Sequence, residues 1–176
     1  PNVSGNFEAI LKTFPGVSGG NELSSAYNVR GGNFDENLIY VNDIEVYRSQ
    51  LVRSGQQEGL SFINGDLVSS IKFSAGGFEA KYGDKLSSVL DVTYIKPDSF
   101  IAGFRANFMG VNAYAGGTSK DKSLSYIIGA RFRTNQYILN SLDVQGDYRP
   151  IFGDLQVFVN KSLDKNKRWN LGFLNN

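Results

Sequence analysis

Beyond Lys96-Pro97-Asp98 the chain settles into a period of two, and that rhythm limits its possible folds more than any other feature of the sequence. Tyr126, Ile128, Ala130 and Phe132 alternate with Ile127, Gly129, Arg131 and Arg133, and Leu155, Val157 and Val159 alternate with Gln156, Phe158 and Asn160. Successive side chains of a strand point to opposite faces, so each segment presents one apolar face and one polar or small face. Four extended segments are expected: Phe100 to Ala115, Leu124 to Leu139, Asp154 to Ser162 and Trp169 to Leu174, divided by polar turns such as Gly117-Thr118-Ser119-Lys120-Asp121-Lys122. A soluble sandwich and a lipid-facing barrel both require this pattern. The segments exceed the usual five or six residues and come near the roughly nine to eleven that cross a bilayer at a tilt.

The first part of the chain follows a different grammar. Phe7, Ile10, Leu11 and Phe14 have helical spacing after Ser4 or Asn6, and Pro15-Gly16 ends the pattern, which predicts a short helix near residues 6 to 14. Ser18 to Glu22 is loop chemistry, Ser25 to Arg30 an extended segment, and Gly31 to Asn37 a turn. Leu38 to Val46 reads as one strand, with Ile39, Val41 and Asp43 on one face and Leu38, Tyr40, Asn42 and Ile44 on the other. Residues 47 to 61 form a long polar loop. A single helical turn capped by Asn64 or Asp66 should follow, then a strand holding Ile71 and Phe73, which pairs through a glycine-rich connection with a strand from Ser88 to Ile95. Lys96-Pro97-Asp98 breaks the pattern and divides a domain of residues 1–97 from residues 98–176.

Composition narrows the chemistry. The chain has no His and no Cys, which removes the commonest general base, the commonest metal ligand and all thiolate chemistry, so an enzyme is not expected. Its 18 basic and 17 acidic residues leave no composition-level case for nucleic acid or for an anionic membrane surface as a partner. Twenty glycines and 13% aromatic residues suit tight turns and β-structure. No apolar run is long enough for a membrane-spanning helix, and the first residues do not read as a signal peptide.

Several segments, in fixed order, carry a resemblance. They are Phe14-Pro15-Gly16-Val17, Tyr27-Asn28-Val29-Arg30-Gly31-Gly32, Leu38-Ile39-Tyr40-Val41-Asn42-Asp43-Ile44-Glu45-Val46, and Gly76-Gly77-Phe78-Glu79-Ala80-Lys81-Tyr82-Gly83 leading to Ser88-Val89-Leu90-Asp91-Val92. Together they resemble the plug domain of TonB-dependent outer-membrane transporters, and the last looks most like the branch found in Bacteroidetes. The resemblance implies an α+β plug domain over 1–97, followed by about the first four antiparallel strands of a truncated transmembrane β-barrel in the cell outer membrane. It also implies gated import of a small nutrient ligand such as a siderophore, glycan or peptide, with no cofactor. TonB would engage a segment upstream of Pro1, outer-membrane lipid would surround the barrel, and a surface lipoprotein is a further possible partner. Since a barrel of about 22 strands needs more than about 200 residues, the chain is expected to be a piece of a larger protein.

Arg30 matches the family arginine that locks plug to barrel through wall glutamates, a seam suited to bidentate guanidinium–carboxylate pairing. A second locking arginine of some relatives falls near Ala75. Gly31 and Gly83 stand where a turn would exclude a side chain. Two loops would face outside and touch substrate: Asn21, Glu22 and Leu23 in one, Tyr47, Arg48 and Arg53 in the other, the second offering an aromatic surface and two cations. Asp35, Glu36, Asp43 and Glu45 could in principle approach calcium, but their spacing fits no calcium loop, and no metal site is expected. The competing reading is a non-transporting β-rich binding module, or one that stoppers a channel at the cell surface.

Overall fold

The computed structural model describes residues 8–19, 26–47, 61–83, 85–108, 110–134, 151–164 and 167–175. It divides into two compact units, Pro1–Tyr94 and Ile95–Asn176.

In the first unit, helix α1 spans Glu8–Leu11 and stops where Thr13 N and Oγ1 both donate to Ile10 O ahead of Pro15. A small antiparallel pair follows, β1 (Val17–Ser18) with β2 (Asn28–Val29). After a 3-10 turn at Phe34–Glu36 come β3 (Asn37–Val41) and β4 (Ile44–Glu45). A second 3-10 turn at Gly65–Leu67 precedes β5 (Val68–Ser74) and β6 (Ser88–Tyr94). These four strands form one sheet in the order β4-β3-β6-β5.

The turn at Gly65 is capped as its sequence suggests, with Asn64 Oδ1 accepting from Asp66 N at 3.2 Å. The antiparallel β5–β6 pair also matches the reading of the sequence, but β6 has a second partner, β3, to which it runs parallel. The expected single strand from Leu38 to Val46 is instead a hairpin. Asn42 (φ 51) and Asp43 (φ 63) occupy the two left-handed positions of a two-residue turn, so Tyr40 pairs with Glu45 and Val41 with Ile44. Asp43 therefore lies in a turn and on neither face. As an interior strand, β3 buries Leu38, Ile39 and Val41 together.

Leu11, Val29, Leu38, Val41, Leu67, Leu90 and Val92 form the fully buried centre, each contributing on the order of 2 kcal/mol of transfer free energy. Two of the polar residues around it pair with each other and the chain: Asn37 Nδ2 donates to Tyr27 O at 2.8 Å, and Ser88 Oγ donates to Asn37 Oδ1 at 2.7 Å.

The second unit is an antiparallel meander of β7 (Ile101–Asn107), β8 (Gly110–Thr118), β9 (Leu124–Thr134), β10 (Ile151–Asp164) and β11 (Lys167–Asn175), each pairing with the next. Among the described residues five strands stand where four were expected, because Phe100 to Ala115 turns back on itself between Asn107 and Gly110. Gly110 (φ 145) allows this: a Cβ there would strike the Phe132 carbonyl on β9. Residues 135–139, expected to extend β9, lie outside the described residues.

The register sorts the sheet into two faces. Phe104, Val111, Tyr126, Ile128, Phe132, Ile151, Leu155, Trp169, Leu171 and Phe173 share one face and are exposed. The opposite face carries Arg105, Asn112, Ser125, Arg131, Asp154, Gln156 and Asn160 together with Ile127, Phe152 and Phe158, and of these Ser125, Ile127, Arg131, Phe152, Asp154, Gln156 and Phe158 are buried. A whole face of exposed large apolar side chains, with an ion pair and an amide buried on the other, is the reverse of what water selects. Glycines on the polar face are covered by their cross-strand partners, Tyr114 lying over Gly103.

Candidate plug site around Arg30

Arg30 stands where three loops of the first unit converge. Val29-Arg30-Gly31-Gly32 is a tight turn closed by Gly32 N donating to Val29 O at 2.9 Å, with Arg30 (φ 51) and Gly31 (φ 83) both left-handed. Gly31 pays no steric penalty there, whereas Arg30, having a Cβ, does. Arg30 N donates to Gly16 O at 2.8 Å, which ties this turn to the Pro15-Gly16 bend. The side chain then crosses two glycines: a Cβ at Gly16 would come within 3.4 Å of Arg30 Cγ, and one at Gly76 within 3.4 Å of Arg30 Nη1. Both glycines are left-handed, so bare backbone on either side leaves a channel for an exposed guanidinium.

The neighbouring residues hold this arrangement. Ser87 Oγ donates to Glu36 Oε2 at 2.6 Å, and a Cβ at Gly32 would run into both. Lys85 Nζ donates to Asp35 O at 2.7 Å. Asp35 and Glu36 are thus drawn toward the loop before β6, and among the described residues no three acidic side chains gather as a metal site.

Residues 2–89, half of the chain, match the family model of the TonB-dependent receptor plug domain. The chain belongs to this family. Receptors of this kind are outer-membrane proteins, and the chain shares that location. Similar solved structures include the ferric enterobactin receptor PfeA of Pseudomonas aeruginosa. A singly substituted variant in complex with enterobactin matches at TM-score 0.62 and 17% identity, over 97% of this chain and 30% of that one. A doubly substituted PfeA variant matches at TM-score 0.61 and 17% identity, over 94% and 29%. At this identity the likeness concerns the fold, and the chain spans about 30% of the receptor's length. No curated protein matches the sequence at a significant level.

The other positions singled out from the plug sequence fall as follows. Ala75 directly precedes Gly76, so the residue expected at a second lock is an alanine close to Arg30. Gly83 does not take a left-handed backbone and a Cβ there would meet nothing; in that loop Gly76 (φ 100) and Gly77 (φ 66) hold the special conformations. Tyr47 follows β4 and is 87% exposed, without a hydrogen bond or ring contact among the described residues. Asn21, Glu22, Leu23, Arg48 and Arg53 lie outside the described residues.

Two groups escaped sequence reasoning. Tyr82 folds back over the plug sheet, donating to Asp91 Oδ2 at 2.5 Å and packing 5.5 Å from the Tyr40 ring. Lys81 sits 4.4 Å above the Tyr82 ring and 3.6 Å from Asp91. Burial, then the bond to Asp91, pushes the Tyr82 hydroxyl pKa up, and the contact with Tyr82 pushes that of Lys81 up. The signal was Asp91, a lone carboxylate within an apolar strand. The second group is on β9 and β10: Arg131 Nε and Nη2 bond Asp154 Oδ1 and Oδ2 at 2.7 and 3.0 Å, and Gln156 Nε2 bonds Asp154 Oδ2 at 2.9 Å. This paired carboxylate, accepting three bonds, satisfies the buried charges of Arg131 and Asp154.

Proposed function

We propose that the chain is the gating part of an energy-coupled outer-membrane transporter, with residues 1–97 as the plug and residues 98–176 as the first stretch of the barrel wall. One observation carries this reading: the sheet of β7 to β11 exposes a face of large apolar side chains and buries Arg131, Asp154 and Gln156 on the other, the polarity of a wall between lipid and a lumen. The unpaired edges of β7 and β11 then meet neighbouring strands of the same wall. The protein binds and gates, and performs no catalysis.

In this reading Arg30 is the plug's lock. Its guanidinium is held outward by the Gly16 and Gly76 channel, ready for a carboxylate pair on the wall. Ala75 leaves the lock with one arginine. Asn21, Glu22 and Leu23, with Tyr47, Arg48 and Arg53, form the apical contacts for a nutrient such as a siderophore, glycan or peptide. The ligand biases the plug toward the state that exposes an upstream TonB segment. A Bacteroidetes-type relationship and a surface lipoprotein partner belong to the same reading.

The test is Arg30→Ala in the native protein in its own outer membrane. Loosening of the plug should raise entry of large antibiotics that the intact membrane excludes. Unchanged leakage together with unchanged uptake would overturn the lock.

A further inference from the structure

On the apolar face of the β7–β11 sheet one charged side chain stands at the end of the apolar rows. Lys161 stands in register between Leu124 on β9 and Trp169 on β11, one step beyond the row of Tyr126, Val159 and Leu171. It marks the end of the apolar band, with Trp169 70% exposed beside it.

The β8–β9 turn lies against this point. Ser162 N donates to Ser123 O at 2.8 Å, which holds residues 119–123 next to Lys161. Ser119 N donates to Leu124 O at 2.8 Å and Lys122 N to Ser119 O at 2.9 Å, closing the turn with Lys122 left-handed (φ 57). Lys120, Lys122 and Lys161 are all exposed and make no ion pair among the described residues. The turn's acid, Asp121, is bonded within the turn: it accepts from Ser119 Oγ and from Ser123 N, bonds that pull its pKa down to about 2, so the group carries three cations and one anion.

We propose that Lys120, Lys122 and Lys161, framed by Trp169 and Tyr126, form a headgroup site for an anionic phospholipid. This rests on the reading of the apolar face as lipid-facing. Three cations meet a phosphate while the indole and phenol lie at headgroup level with their apolar bodies against acyl chain. Lysine is tolerated on a lipid-facing surface at that depth, where its stem follows the apolar wall and its ammonium reaches the interface. The leaflet is the periplasmic one. Residues 119–123 alone join β8 to β9 at this end, and outer-membrane barrels place short turns toward the periplasm.

The experiment is native mass spectrometry of the protein extracted from outer membranes, with phosphatidylglycerol, phosphatidylethanolamine or lipid A added in turn. Preferential phosphatidylglycerol adducts are expected, weakened about fivefold per lysine replaced in a Lys120→Gln, Lys122→Gln, Lys161→Gln series, with phosphatidylethanolamine unchanged. In parallel, quenching by brominated acyl chains in nanodiscs is compared between the native protein and Trp169→Phe. Quenching at Trp169 without phosphatidylglycerol selectivity would overturn the headgroup site and leave the lipid-facing sheet standing. Absence of quenching would remove both. Preference for lipid A, lost in the glutamine series, would overturn the periplasmic assignment and with it the proposed occupant.

Discussion

Arg30 holds a left-handed backbone in which glycine or asparagine would rest at lower energy, so its side chain is kept at a conformational cost. Arg30→Gly should relieve about 1 kcal/mol of strain, and Arg30→Ala should not, yet both remove the guanidinium. Thermal unfolding of the native protein is expected to separate them, with the glycine variant at least as stable as the parent and both variants leaky. Tyr82 is a second residue whose surroundings set its chemistry. Its raised pKa means that its contribution to stability is complete below the ordinary tyrosine value of 10.0 and is lost as pH rises through the folded-state value. Asp91→Asn should bring Tyr82 ionisation to lower pH, read as the difference in tyrosinate absorbance from the same variant carrying Tyr82→Phe. Asp121 works in the other direction. Its lowered pKa favours the fold above about pH 4, and the benefit disappears as pH falls toward 2. Ser119→Ala, which deletes the hydroxyl that is the first cause of the shift, should return the Asp121 titration toward 3.8, as followed by carboxyl NMR.

Among the elements, β9 and β10 are joined by the buried Arg131–Asp154 pair as well as by their backbone ladder. Replacing Arg131 alone with Met strands a buried carboxylate and should cost about 3–5 kcal/mol, whereas Arg131→Met with Asp154→Leu should restore most of the loss. Denaturant unfolding of the single and double variants measures this. The pairing itself was hidden in the sequence, because alternation places Arg131 and Asp154 on some face of their strands and leaves the register open. The β7–β8 hairpin was more nearly legible. Apolar positions fall on even numbers through Ala102, Phe104 and Ala106 and on odd numbers through Val111, Ala113 and Ala115, and that slip of phase marks the turn before Gly110. In the β3–β4 hairpin, Asn42-Asp43 carried a turn signal of its own, residue types that tolerate left-handed backbone, which the continuing apolar rhythm around it concealed.

For the whole molecule, the decisive quantity is the polarity of the two faces of the β7–β11 sheet. Leu155→Lys, at a position 39% exposed on the apolar face and well away from the Lys161 end of the band, should cost about 2–4 kcal/mol near the middle of a bilayer and reduce the folded protein recovered from outer membranes. Asn112→Lys, on the other face, should leave recovery unchanged. Equal recovery of both variants would count against the lipid-facing reading. By itself the sequence determined the strand-rich second half, the plug motifs and their order, and the absence of His and Cys chemistry. These are local or compositional properties, set by periodicity, turn residues and side-chain inventory. Only the tertiary structure decided that β3 runs parallel beside β6, that the bends at Gly16 and Gly76 flank Arg30, that Tyr82 closes onto Asp91, and that the exposed face is the apolar one. Each joins residues far apart in the chain, and such contacts follow from which surfaces can be buried together, a choice that no single segment carries.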